Sequence, residues 1–162
     1  MSSTWRSLTS ERDAALLLED FGAFHDSCLK EALVSTGAYV TPTLSMACPS
    51  TLHTEVRLLF QRQESPLSAL ELLFAQVTAF SVAPAPEGCD PIISNATLSL
   101  SGGIFTLAAY LIGSPLQLIP GQQPSPRSGE AGVFVSGREL SWREVSGRLG
   151  PNALYGVLED RA

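Results

Sequence analysis

The chain has 162 residues, of which 44% are apolar and 16% charged, with a net charge of −6 at pH 7. That length buries a real core without metal or disulfide staples, and the ten Lys and Arg form no basic stripe, which excludes the phosphate-neutralising surface of a nucleic-acid binder. Cys28, Cys48 and Cys89 are widely spaced with no Cys-x-x-Cys, which excludes a disulfide framework and a structural zinc site.

The first elements are a helix and a stop. "SERDAALLLEDFG" predicts one short helix: Ser10 caps it, Asp13 completes a near capping box, and Gly22 ends it. Ala15, Leu16 and Leu18 are expected on its apolar side, with Glu11, Arg12, Glu19 and Asp20 in solvent. Glu19 and Asp20 also interrupt the apolar run, so these residues are not the h-region of a secretory signal. The longest apolar run, "GIFTLAAYLIG", is too short to span a membrane. A cytoplasmic chain without membrane contact is expected.

After Phe24 the period changes from helical to alternating, and short apolar, β-branched or aromatic segments are separated by Gly, Pro and Ser. This predicts antiparallel strands near 26–35, 38–47, 54–62, 69–82, 92–100, 103–112, 115–119 and 131–135, with a last turn of helix or strand within 138–149. "SALELLFAQV" also has helical spacing; strand is preferred because no cap precedes it and the pattern continues through "TAFSV". With a turn at Glu64-Ser65-Pro66, Phe60 and Phe74 are expected on the inner face of one hairpin. Gly102-Gly103 predicts a tight hairpin turn, and "APAPEGCDP" and "PGQQPSPRSGEAG" read as loops, the second a flexible one over 120–131.

The segment that concentrates chemistry is "FGAFHDSCLKE". Successive strand residues point to opposite faces, so His25 and Asp26 are expected to diverge and to tie down the first strand at a helix-to-strand corner, His25 as a partly buried polar cap. Cys28, alternating with Lys30 and Ala32, is expected to face inward as a small buried residue. His53 with Glu55 lacks the ligand spacing of a metal site. "FQRQ" places Gln61, Arg62 and Gln63 on the central hairpin, near Glu55, Arg57 and Glu71, as hydrogen-bonding groups for a partner's carboxylates or as a solvated face with a cross-strand Arg to Glu pair. No phosphate-binding loop and no G-x-S-x-G occurs.

"FGAFHDSCLKEALVSTGAYV", "RLLFQRQ" and "LELLFAQV" together resemble a family of small uncharacterised bacterial proteins with an F-G-x-F-H-D-S opening motif. The F-H-D start followed by short strands is also similar to some bacterial immunity proteins, antidotes that bind a toxin. The resemblance implies a bacterial, cytoplasmic, mostly β domain and brings no catalytic residues with it.

The expectation is therefore a single domain over 1–162, mainly β, an antiparallel sandwich or strongly curved sheet with one short N-terminal helix. Charge this sparse on a surface also favours a homodimer. The expected function is a non-enzymatic protein-interaction domain, immunity-like, with His25, Asp26, Gln61, Arg62 and Gln63 as binding residues. The alternative is a small-molecule binder or enzyme with a pocket around His25. No catalytic residue, metal or cofactor is expected.

Overall fold

The computed structural model describes residues 4–112 and 132–156. In chain order these form β1 (Arg6–Leu8), α1 (Glu11–Asp20), a 3₁₀ turn (Gly22–Phe24), β2 (Ser27–Ser35), β3 (Tyr39–Val40), β4 (Met46–Ala47), β5 (Glu55–Arg62), β6 (Ala69–Val82), β7 (Ile93–Ser101), β8 (Ile104–Leu111) and β9 (Val133–Glu144). The expected strand 115–119 and the loop 120–131 lie outside the described residues. Among the described residues no helix is long and apolar enough to cross a membrane.

The sheet runs β1-β9-β6-β5-β2-β7-β8, every pairing antiparallel, and β8 also pairs with β9. Of the two forms expected, the strongly curved sheet is the one taken: it curves until its far strand meets β9, closing a barrel of β9, β6, β5, β2, β7 and β8. Closure removes most free edges. β9 makes it possible by being longer than expected, with its first half on β8 (Phe105↔Gly137 to Ala109↔Val133) and its second half on β1 (Leu8↔Leu140 to Arg6↔Trp142). The residues expected to form a separate last turn within 138–149 are thus largely the continuation of that strand.

The interior is filled by alternating side chains. Val56, Leu58 and Phe60 of β5 and Leu70, Leu72 and Phe74 of β6 have no exposed surface, and they meet Ile93, Leu107, Val135 and Leu140. The hairpin pairs Phe60 with Leu70 and Phe74 with Val56, so both rings point inward as expected. The turns at 64–66 and Gly102-Gly103 also lie where the sequence places them.

The weak seam is between β2 and β7, which share the single pairing Ser27↔Ile93. The helix and its 3₁₀ turn pack against β7 there. Ser10 accepts from the Asp13 N–H at 3.1 Å while Asp13 Oδ2 accepts from the Ser10 N–H at 3.0 Å, a complete capping box. The buried side of the helix is Ala14 and Leu17, with Leu18 half-buried. Leu18 is on the packed side as expected, while the expected Ala15 and Leu16 are exposed, because the face toward β7 is set by Phe21 and Phe24, and Ala14 and Leu17 precede Phe21 by about two turns and one. Phe21 and Phe24 stack edge to face at 4.8 Å, and Phe24 on Phe60 at 4.9 Å, which plugs the barrel at its seam.

The expected strand 38–47 is instead a small hairpin. β3 and β4 form their own two-stranded sheet, Tyr39↔Ala47 and Val40↔Met46, closed by the Thr41 and Ser45 backbones. They belong to an arm that leaves the barrel at Ser35 and returns at Glu55, a pair of residues that still face each other across β2 and β5.

Candidate functional site

Three features carry chemistry on this scaffold: the junction around His25, the outer face of the sheet, and the arm. The junction is strained and well held. Ala23, Phe24 and Asp26 all have positive φ, at 52°, 61° and 55°, a region that costs non-glycine residues energy. Buried Phe21 and Phe24 hold the turn, and the Ser27 hydroxyl donates to the Phe24 carbonyl at 2.5 Å.

This geometry corrects the expected divergence of His25 and Asp26. Neither is yet in the strand, and the positive φ of Asp26 turns its carboxylate back, so His25 Nδ1 lies 3.2 Å from Asp26 Oδ2. Both side chains are exposed, at 64% and 61%, so His25 is not the partly buried cap expected.

Beside it lies a concavity of about 260 Å³ lined by Asp26, Ser27, Cys28, Gln61, Arg62, Gln63 and Ile92. Four residues singled out from the sequence therefore do meet, and His25 joins them through Asp26. Their freedom differs. The Arg62 guanidinium donates to the Leu67 and Asp20 carbonyls and to Glu64, and lies over the Phe21 ring at 4.6 Å. It ties α1 to the 63–68 turn, and Gly22 at φ +58 is placed so closely beneath it that an added Cβ would sit 2.9 Å from Nη1. The Gln61 carboxamide donates to the Arg148 and Gly150 carbonyls. Asp26 and Gln63 are exposed.

Cys28 lines this concavity rather than facing inward, which corrects the expected alternation. A bulge at Lys30 shifts the register between Leu29↔Phe60 and Glu31↔Leu59, so Cys28, opposite Gln61, shares the outer face with Glu31. His53 accepts or donates at 2.6 Å to the Thr51 hydroxyl, and among the described residues no His, Cys, Asp or Glu cluster fit for a metal occurs.

The outer face of β2, β5, β6 and β9 was missed by sequence reasoning. Glu71 has no exposed surface, and its Oε2 accepts from Arg143 Nε at 2.5 Å. The solvated cross-strand Arg to Glu pair expected within the hairpin is not what forms: Arg62 pairs with Glu64 of the turn, and Glu71 is buried and pairs with Arg143 of β9. Arg143 stacks on Trp5 at 4.6 Å, and Arg57 on the same ring at 6.0 Å. Residues 148–155 cross this face: Lys30 Nζ donates to the Pro151 carbonyl at 3.0 Å, and the Glu31 carboxylate accepts the Leu154 and Tyr155 N–H groups at 2.6 and 2.9 Å. Burial, then the neighbouring Glu71 carboxylate, raises the Tyr155 pKa far above the ordinary phenol value. The Tyr155 hydroxyl and Glu71 Oε1 are both buried without a partner in hydrogen-bond geometry.

The arm is the third feature, also missed. From Ala32 to Thr54 the sequence contains no Asp, Glu, Lys or Arg. Tyr39, Val40, Leu44 and Met46 are exposed, Leu44 to 87%, with Leu33, Val34 and Leu52 exposed at the arm's base. Val40 and Met46 stand opposite each other, so they form one apolar patch. Gly37, at φ +71, folds the arm on itself, where a Cβ would meet His53 Cβ at 2.9 Å. The missing charges are legible in the sequence; their exposure is not.

Comparison with known proteins finds no family model, no curated protein and no solved structure that matches this chain.

Proposed function

We propose that this chain is a non-enzymatic, cytoplasmic protein-interaction domain that forms a homodimer through its arm. The carrying observation is the charge-free arm from Ala32 to Thr54 with Tyr39, Val40, Leu44 and Met46 in solvent. Single exposed apolar residues are ordinary, but adjoining ones mark interaction surfaces, and long excursions from a compact domain are usually functional. A two-stranded hairpin is marginal by itself in water, so burial against a partner supplies what β3 and β4 lack.

A second copy of the chain fits the arm best. Each copy carries −6, so bodies repel each other, while arms without charge meet with no like charges opposed and no carboxylate desolvated. Homodimer interfaces are the more apolar class. The outer edges of β3 and β4, unpaired among the described residues, are self-complementary about a twofold axis. The likeness to immunity proteins supports an interaction role in the same way, with the acidic body left free for a basic protein partner.

Light scattering across a concentration series tests this reading. The wild-type chain is expected to be a dimer at micromolar concentration, and Leu44→Asp or Met46→Asp a folded monomer whose melting temperature, unlike that of the wild-type chain, does not rise with concentration. A wild-type chain that stays monomeric at every concentration overturns the dimer. A second reading, a small-molecule site, is supported by the meeting of Asp26, Gln61, Arg62 and Gln63 at one concavity. Saturable ligand binding lost in Gln63→Ala and kept in Leu44→Asp would favour it.

A further inference from the structure

The contacts between residues 148–155 and the sheet follow a pattern that simple packing of a chain end does not require. Five hydrogen bonds from side chains of the sheet go to the backbone of this segment: Gln61 to the carbonyls of Arg148 and Gly150, Lys30 to that of Pro151, and Glu31 from the N–H groups of Leu154 and Tyr155. Donors and an acceptor are thus spaced along β2 and β5 to hold the backbone of an irregular segment, bent at residues 150, 151, 154 and 155, whatever most of its side chains are. Specificity enters at Tyr155, which lies within electrostatic reach of Glu71 and Arg57, and both its hydroxyl and Glu71 Oε1 are buried without a partner in hydrogen-bond geometry.

The segment itself is loosely committed to the fold. It has no regular secondary structure after Glu144, and residues 147–153 are exposed. Elements with few buried contacts open first.

We propose that the outer face of β2, β5 and β6 is a peptide-binding groove for a segment without regular secondary structure that bears a tyrosine, and that residues 148–155 occupy it in cis. Glu31, Lys30 and Gln61 are its backbone clamps, and the surroundings of Glu71 its tyrosine subsite. A partner's segment of the same chemistry enters when the chain's own segment leaves. Recognition by main-chain hydrogen bonds with one side-chain pocket is a recurrent way of binding peptides. The groove is on the body of the barrel and does not depend on the arm.

The tethered segment competes at a high effective concentration, so it must be weakened before a free peptide is seen. The probe is a fluorescein-labelled peptide of residues 148–156, read by anisotropy against the full-length chain carrying Tyr155→Ala. Saturable binding is expected, at least tenfold tighter than to the wild-type chain. It should weaken at least tenfold when Glu31→Gln is added, or when the peptide's own tyrosine is replaced by alanine. A folded Tyr155→Ala chain that takes up no peptide, or one that binds regardless of Glu31, overturns the proposal. Should Tyr155→Ala fail to fold, hydrogen exchange on the wild-type chain decides: the Leu154 and Tyr155 amides are expected to exchange at least a hundredfold faster than those of β5 and β6. Exchange only at the rate of global unfolding would make the segment an integral part of the fold and end the idea.

Discussion

Glu71 of β6 and Arg143 of β9 face each other across the two strands, joined from Nε to Oε2 at 2.5 Å on a carboxylate that has no contact with solvent. A buried ion pair repays its desolvation only while both members are present. Arg143→Ala should therefore cost about 3 to 5 kcal/mol in urea unfolding. Glu71→Leu combined with Arg143→Met should recover most of that loss. A single substitution costing under about 1 kcal/mol would mean that water reaches Glu71.

Tyr155 predicts an alkaline limb. Its folded pKa is raised from 10.0, first by burial and then by Glu71, so the folded state favours the neutral phenol. Its contribution is fully present below the unfolded value and declines as pH rises above it, because the unfolded chain then ionises and the folded chain resists. Stability should fall above about pH 10 in the wild-type chain and fall less in Tyr155→Phe. Equal alkaline limbs would place the phenol in water.

The helix cap predicts an acid limb. The Asp13 pKa is lowered from 3.8, chiefly by the Thr9 N–H and then by the Ser10 and Thr9 hydroxyls. A depressed carboxylate adds stability above its unfolded value and loses it as pH falls through the folded one. Asp13→Asn should flatten thermal stability below pH 4 relative to the wild-type chain, and Ser10→Ala should cost about 1 kcal/mol at neutral pH.

The arm should be removable. Ser35 and Glu55 are already paired across β2 and β5, so Asn-Gly in place of residues 36–54 closes a tight hairpin at that register. Stability in urea should change by no more than about 1 kcal/mol, while light scattering reports a monomer. Loss of the fold would make the arm structural rather than a contact surface.

The barrel core is the most sensitive region. Phe60→Ala or Phe74→Ala should each cost about 3 to 5 kcal/mol, since both rings are fully buried and Phe60 also stacks on Phe24. Melting temperatures unaffected by either substitution would contradict the inward faces of β5 and β6.

Of the expected site, Asp26, Gln61, Arg62 and Gln63 do line one concavity, because they sit at the adjoining ends of β2 and β5, which pair as consecutive strands of the sheet. What their side chains are occupied with was not legible. Arg62 is held by the Asp20 carbonyl, a residue far away in sequence, and Gln61 by the carbonyls of Arg148 and Gly150.

The sequence by itself determined the elements: the capping box at Ser10, the alternation that runs from Ala69 to Val82, and the hairpin at Gly102-Gly103. These rest on local physics, the hydrogen-bonding reach of one side chain or the two-residue period of a strand. Only the tertiary structure decided the rest: that a bulge at Lys30 puts Cys28 beside Glu31, that β9 closes the barrel on β8, and that Glu71 is buried beneath residues 148–155. A strand's period says which residues share a face, but what covers that face comes from segments distant in the chain. The same limit applies to Tyr39 and Leu44, apolar residues that a sequence would bury and the fold leaves in solvent.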